Sequence, residues 1–249
     1  MNIEVDITRE CDLKCPCCNR LCNIYPKNQK SIMTLDEIKN IISQIKNSKE
    51  HIHQFRLIGG EPTSHKELYE ICDFISKNIN VDVYTITTNC VKSDSKYNLL
   101  QKIKKNTKFV YKSNEPNVKF KFNKHINIYN TSKCIQKEKY SDCVVLNRCG
   151  INVYKFNNEI KWSWCSCVSY ISRLLKIEDK VTYSSFNELL NSNINDTYQN
   201  ICKYCTFYQK SYENNYPHAL PFHLNNEISD IFKDGLEYIK SHKEEYNNE

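Results

Sequence analysis

Residues 3–18 read Ile3-Glu4-Val5-Asp6-Ile7-Thr8-Arg9-Glu10-Cys11-Asp12-Leu13-Lys14-Cys15-Pro16-Cys17-Cys18. Ile3, Val5 and Ile7 alternate with polar residues, the period of a β-strand, and predict a first strand ending at Thr8. The loop after it carries the spacing C-x3-C-x2-C in Cys11, Cys15 and Cys18. Three thiolates from one short loop can hold three irons of a 4Fe–4S cluster and leave the fourth iron open. An open position is what a reactive cofactor needs, just as catalytic zinc sites keep one ligand place unfilled. A zinc knuckle, with Cys22 or Cys17 as fourth ligand, is the competing reading.

Outward from this loop, strands and helices alternate. Thr34 with Glu37 three residues on is a capping-box pattern, and Ile38, Ile41, Ile42 and Ile45 follow at helical spacing. A second strand, Gln54 to Ile58, runs into Gly59-Gly60-Glu61-Pro62. A helix is predicted from about Lys66 to Lys77, then a third strand from Val81 to Thr87 ending at Thr88-Asn89. A helix at Lys96–Lys105 leads to strands at Phe109–Lys112 and Ile126–Tyr129. This alternation implies βαβ units and a parallel sheet. Each motif falls just after a strand, at the edge where parallel α/β folds place their chemistry.

Composition narrows the function classes. The chain has 249 residues, 40% hydrophobic and 12% aromatic, enough to bury a core and exclude wholesale disorder. The formal charge of +6 falls to roughly +3 if one cluster on three thiolates and one on four are bound. Lys is abundant and Arg scarce, a pattern read as genome composition. The run Gln101-Lys102-Ile103-Lys104-Lys105 is the solvated face of a helix. No basic stretch interleaved with aromatics suggests nucleic-acid binding. The N-terminus lacks the charged and apolar regions of a signal peptide, and no apolar stretch approaches the ~18 residues of a membrane span. A soluble cytoplasmic protein is expected. Thiols stay reduced there, so fourteen cysteines point to metal or cluster ligation rather than disulfides. Cys72, on an apolar helix face, is expected in the core.

The cysteine loop after a first strand, the Gly59-Gly60-Glu61-Pro62 turn and the Thr87-Thr88-Asn89 strand end together resemble the radical S-adenosylmethionine superfamily. The resemblance implies a partial (β/α) barrel and a catalytic 4Fe–4S cluster on Cys11, Cys15 and Cys18. It implies that S-adenosylmethionine is held by Gly59, Gly60 and Glu61, with Thr88 and Asn89 at the ribose. The open iron would chelate that cofactor, and one-electron reduction by a flavodoxin- or ferredoxin-type partner would release a 5′-deoxyadenosyl radical. One departure stands out: the residue before the third cysteine is usually aromatic, and here it is Cys17.

Past Thr131 the texture changes, with seven cysteines between Cys134 and Cys205. Cys149, Cys165, Cys202 and Cys205 form a second set of four, with Cys167 able to replace Cys165 and Cys143 able to replace Cys149. Cys202 and Cys205 supply a C-x2-C unit, and Cys149 with Cys165 brackets a hairpin in which Val153, Tyr154, Phe156, Ile160 and Trp162 flank Asn157-Asn158. Four cysteines in two pairs can close a zinc or a cubane cluster. Within the resembled superfamily this layout is similar to the twitch domain, a shortened SPASM domain with an auxiliary 4Fe–4S cluster. Its length and cysteine order resemble an aminocyclitol dehydrogenase. The expected division is therefore a core at 1–133, a twitch-like domain at 134–210 and a tail at 211–249 with an amphipathic helix at 227–245.

No side chain beyond the cluster ligands is assignable as catalytic. His65 is expected at a surface helix start, within reach of the site, and Arg148 either pairs at the surface or meets the substrate. The expected activity is radical oxidation of a small polyol, sugar or aminocyclitol. The alternatives are radical maturation of a peptide and a non-catalytic iron–sulfur or zinc protein.

Overall fold

A computed structural model describes residues 1–13, 20, 22, 31–89, 93–113 and 150–202. Six strands form one sheet in the order β4-β3-β2-β1-β5-β6: β1 Asn2–Thr8, β2 Gln54–Gly59, β3 Val83–Thr88, β4 Val110–Ser113, β5 Ile151–Phe156 and β6 Glu159–Ser163. Strands β1 to β5 run parallel, and β6 returns antiparallel to β5. The parallel α/β expectation is met. The barrel expectation reduces, among the described residues, to this parallel-dominated sheet.

Three helices, α1 Leu35–Ser48, α2 Leu68–Asn78 and α3 Asp94–Asn106, connect the first four strands. The capping box is present: Thr34 Oγ1 accepts from the Glu37 amide at 3.2 Å, and Glu37 Oε2 accepts from the Thr34 amide at 2.7 Å. Ile38, Ile41, Ile42 and Ile45 of α1, with Leu68, Ile71, Cys72 and Ile75 of α2, are buried. They pack in one core with Ile3, Val5, Ile7, Phe55, Leu57, Tyr84, Ile86, Ile151 and Val153. Those strand residues alternate along their strands, so they all belong to one face of the sheet.

Strand β5 is the unexpected neighbour. It lies beside β1, with Ile3 opposite Ile151 and Asp6 opposite Tyr154. The hairpin therefore extends the sheet of the first half: Asn157 and Asn158 both take positive φ, 48° and 57°, the left-handed pair a two-residue turn requires. Trp162 on β6 stacks on Phe186 with ring centroids 4.9 Å apart. Four short helices complete the described chain: α4 Val168–Leu175, α5 Glu178–Val181, α6 Phe186–Asn191 and α7 Ile194–Asn200. The expected boundary near residue 133, the strand at 126–129 and the helix at 227–245 lie outside the described residues. Among the described residues no helix is long and apolar enough to cross a membrane.

Candidate functional site

Three sequence-distant motifs meet at the C-terminal ends of β1, β2 and β3. The meeting is made by backbone. Gly60 donates its amide to Thr8 O at 2.7 Å, and Glu61 donates to Glu10 O at 2.6 Å, so the end of β2 lies along the entrance of the cysteine loop. The paired glycines are what permit this. A Cβ on Gly59, whose φ is +132°, would lie 2.1 Å from Thr8 O, and one on Gly60 would lie 2.0 Å from Glu10 O. The close approach for which glycine is needed is made to the chain's own loop.

Glu61 is buried, with no exposed surface. Its Oε1 accepts from the Thr63 amide at 3.0 Å, Thr63 Oγ1 at 2.5 Å and Thr88 Oγ1 at 2.6 Å. Its Oε2 accepts from the Asn89 amide at 2.7 Å. Four donors satisfy this buried carboxylate and tie the end of β3 to the turn after β2. A direct contact with an ammonium group would share or displace one of them.

Asn89 completes the corner. Its Nδ2 lies 3.8 Å from Cys11 Sγ and 2.8 Å from Asp12 Oδ1, and Lys96 Nζ, from the first turn of α3, sits 2.5 Å from Asp12 Oδ2. Burial pulls the Asp12 carboxyl up, but the hydrogen bonds from Lys96 and Asn89 outweigh it and hold the group below the ordinary carboxylate range. Cys11 is half-buried. A soft thiolate donor at a strand end beside an amide N–H suits an iron–sulfur cluster. Cys15, Cys17 and Cys18 lie outside the described residues, and among the described residues no three His, Cys, Asp or Glu side chains come together to hold a metal.

The second face of the sheet is polar. Glu4 and Asp6 of β1, Gln54 and Arg56 of β2, Thr85 of β3 and Asn152 of β5 alternate with the core residues and share this side. Arg20, in the turn beyond the cysteine motif, places NH2 2.7 Å from Glu4 and NH1 2.9 Å from Asp6, with all three side chains almost fully buried. Arg56 NH1 holds the other oxygen of Glu4 at 2.5 Å, and Asn152 Nδ2 reaches Asp6 at 3.2 Å. Burial pushes the Asp6 carboxyl above its ordinary value, with Glu4 adding to the rise and Arg20, Arg9 and Asn152 opposing it. Helix α4 lies over this face: Arg173 stands 4.1 Å from the Phe156 ring centroid, and Arg9 donates to Ser169 O at 3.5 Å. Burial also drives the Tyr154 phenol far above its usual range, against the pull of Arg173 and Arg9.

One expectation is corrected. His65 is buried rather than at the surface. Its Nε2 lies 2.7 Å from Met33 O and its Nδ1 accepts from the Glu67 amide at 3.1 Å. That pairing sets Nε2 as the donor and Nδ1 as the acceptor and makes the ring a brace between two loops. The polar face went unread in the sequence, because alternation separates two faces without saying which is wet. The signal lay in the few arginines of a lysine-rich chain. Arg9, Arg20 and Arg173 are buried, where a planar, weakly hydrated guanidinium suits better than an ammonium.

Of the second cysteine set, Cys165, Cys167 and Cys202 are described, and Cys143, Cys149 and Cys205 are not. Cys165 Sγ accepts from the Cys167 amide at 3.4 Å, and Cys202 follows α7. Because β6 runs backwards, Ser163, two residues before Cys165, lies level with Asn152 and hence with Glu4. Thr8, three residues before Cys11, is four residues further along β1, about 13 Å at ~3.3 Å per residue. Strand β6 thus runs away from the Cys11 end of the sheet as it approaches Cys165.

Comparison with known proteins agrees with the first site. Residues 5–117 match the family model of the Radical SAM superfamily. The GTP 3',8-cyclase of Alkaliphilus metalliredigens is 31% identical over 87 residues, 35% of this chain and 27% of that protein. The GTP 3',8-cyclase of Pasteurella multocida is 32% identical over 89 residues, 35% of this chain and 25% of that protein. That of Tolumonas auensis is 27% identical over 88 residues, again 35% and 25%. The chain matches only about a quarter of the length of these relatives. The similarity thus falls on the strand–helix half of the chain, which carries the cysteine loop and the Gly59-Gly60-Glu61 turn.

Proposed function

We propose that this chain uses an open-iron 4Fe–4S cluster on Cys11, Cys15 and Cys18 to cleave S-adenosylmethionine and oxidise a small hydroxyl-rich substrate. The supporting observation is the convergence of Cys11, Gly59-Gly60-Glu61 and Thr88-Asn89 on one corner, held by the Glu61 and Asn89 hydrogen bonds. When bound, the cluster and its cofactor supply one electron and then a 5′-deoxyadenosyl radical able to take a hydrogen atom from the substrate. The chain's own part is positional. Gly59 and Gly60 let the β2 end lie on the loop, Glu61 fixes the β2 and β3 ends that would receive S-adenosylmethionine, and the Thr88-Asn89 segment would stand on its ribose side. In this reading β1 to β4 belong to a partial (β/α) barrel, and Cys149 (or Cys143), Cys165 (or Cys167), Cys202 and Cys205 hold an auxiliary cluster of a twitch-like domain. That cluster would accept the surplus electron, and a flavodoxin- or ferredoxin-type protein would supply the first.

The substrate class, a polyol, sugar or aminocyclitol, is supported by the resemblance of the chain's length and cysteine order to those of an aminocyclitol dehydrogenase. A nucleotide is the second reading, favoured by the similarity to GTP 3',8-cyclases.

Anaerobically reconstituted, reduced protein is expected to turn S-adenosylmethionine into 5′-deoxyadenosine. Its iron should fall from about eight to about four per chain when Cys11, Cys15 and Cys18 become Ala. Deuterated aminocyclitol, GTP and peptide then compete as substrates. Deuterium in 5′-deoxyadenosine from GTP or peptide alone refutes the polyol reading, and no 5′-deoxyadenosine at all refutes the chemistry.

A further inference from the structure

The corner beside Cys11 holds a charge that the cofactor site itself does not require. Asp12, the residue after Cys11, has its two carboxylate oxygens engaged from opposite sides. Oδ1 accepts from Asn89 Nδ2 at 2.8 Å, and Oδ2 accepts from Lys96 Nζ at 2.5 Å. The same Asn89 nitrogen lies 3.8 Å from Cys11 Sγ. This fixes the amide's orientation on chemical grounds. Turned over, its oxygen would face a carboxylate and a sulfur that offers no donor once it ligates iron. Asn89 is in turn anchored by its backbone amide on Glu61 Oε2 at 2.7 Å. Lys96 and Asp12 are only partly exposed, at 21% and 33% of their side chains, so water screens the pair incompletely.

We propose that the Lys96–Asp12–Asn89 chain is a positioning and tuning device for the Cys11 sulfur, an inference that rests on the reading of Cys11 as a cluster ligand. Asp12 holds the Asn89 amide so that one N–H points to the sulfur. Lys96 cancels the carboxylate charge that would otherwise stand beside the cluster. Both effects favour the state with one more electron, because hydrogen bonds to sulfur and net local charge set the potential of such clusters. Lys96 is 84 positions from Asp12, so helix α3 reports directly on the cysteine loop.

The test is a midpoint titration followed by electron paramagnetic resonance on the reconstituted full chain, reading the signal that changes when S-adenosylmethionine is added. Lys96→Met is expected to make reduction about tenfold less favourable, a shift of 59 mV for one electron. Asp12→Asn, which removes the negative charge, is expected to move it the other way. Lys96→Arg should restore the unmodified value. If Lys96→Met sheds its iron while Lys96→Arg keeps it, the positioning role stands. If Lys96→Met and Asp12→Asn both retain iron and stay within twofold of the unmodified equilibrium, or if Lys96→Arg also sheds its iron, the inference falls. A chain that never forms a Cys11-dependent cubane sinks the proposed function together with this inference. A cubane indifferent to Lys96 and Asp12 sinks this inference alone.

Discussion

Replacing Arg20 by Met tests the polar face most directly. Met has a similar length and no charge, so the substitution removes the guanidinium from between Glu4 and Asp6 while filling much of its space. Arg56 keeps its grip on Glu4 Oε1, so the carboxylate that loses its ion-pair partner is Asp6, which keeps the hydrogen bond from Asn152 and the charge of Arg9. An ion pair at ~4 Å is worth about 4 kcal/mol at an effective dielectric of ~20. Breaking a buried pair from one side costs roughly 3–5 kcal/mol. With Glu4 still paired, the lower figure applies, about 3 kcal/mol at pH 8. Asp6 also supplies a pH signature. Burial already holds its carboxyl above the ordinary value, and Arg20 is the largest influence pulling it down, so its loss drives the value further up. The folded variant then binds a proton that the unfolded chain releases, and its stability falls as pH rises between those two values. The slope is at most about 1.4 kcal/mol per pH unit. Urea unfolding of the full-length variant and its parent at pH 6 and pH 8 is the assay. The expected result is a penalty no larger at pH 6 than at pH 8. A penalty below about 1 kcal/mol at pH 8, or one that grows as pH falls, would refute the assignment of Arg20 as the counter-ion of a buried Asp6.

Gly60→Ala should displace the cysteine loop, because its Cβ would sit 2.0 Å from Glu10 O; iron content after reconstitution should drop well below that of the parent, and full iron loading would count against the contact. Thr88→Val removes one donor from the buried Glu61 carboxylate, at about 1–3 kcal/mol. Calorimetry should record a fall of roughly 2–4 °C per kcal/mol for a chain of this size. Cys72 is fully buried, and burial, aided by the nearby Glu70 charge, lifts its thiol well above the usual range. In native protein at pH 8 mass spectrometry should find it unalkylated by iodoacetamide until urea is added.

The elements of the first half could be read from the chain because each carries a local signal. Thr34 and Glu37 announce α1, and Gly59-Gly60 marks the end of β2 with a dihedral few other residues accept. The hairpin could be read too, since Asn157-Asn158 names its own turn. Its location could not be. Whether β5 pairs with β1 or stands in a separate unit depends on contacts across the intervening chain, and nothing local in Ile151–Phe156 expresses them. The site was half legible for the same reason. Cys11, Glu61 and Asn89 lie in recognisable motifs, whereas Asp12 and Lys96 meet only because α3 starts beside the loop. The burial of Glu4, Asp6 and His65 has no local signal, because burial of a polar side chain depends on what later folds over it.

The place of β1 has a consequence for how the molecule is made. Ile3 pairs with Ile151, 148 positions later, so the strand that ends up flanked on both sides begins life as an open rim. A ribosome adding ~5–20 residues per second needs roughly 7–30 s to deliver its second neighbour. Throughout that interval an unpaired row of amides and carbonyls borders the nascent sheet. Only when Ile151–Phe156 arrives beside β1 is that row paired.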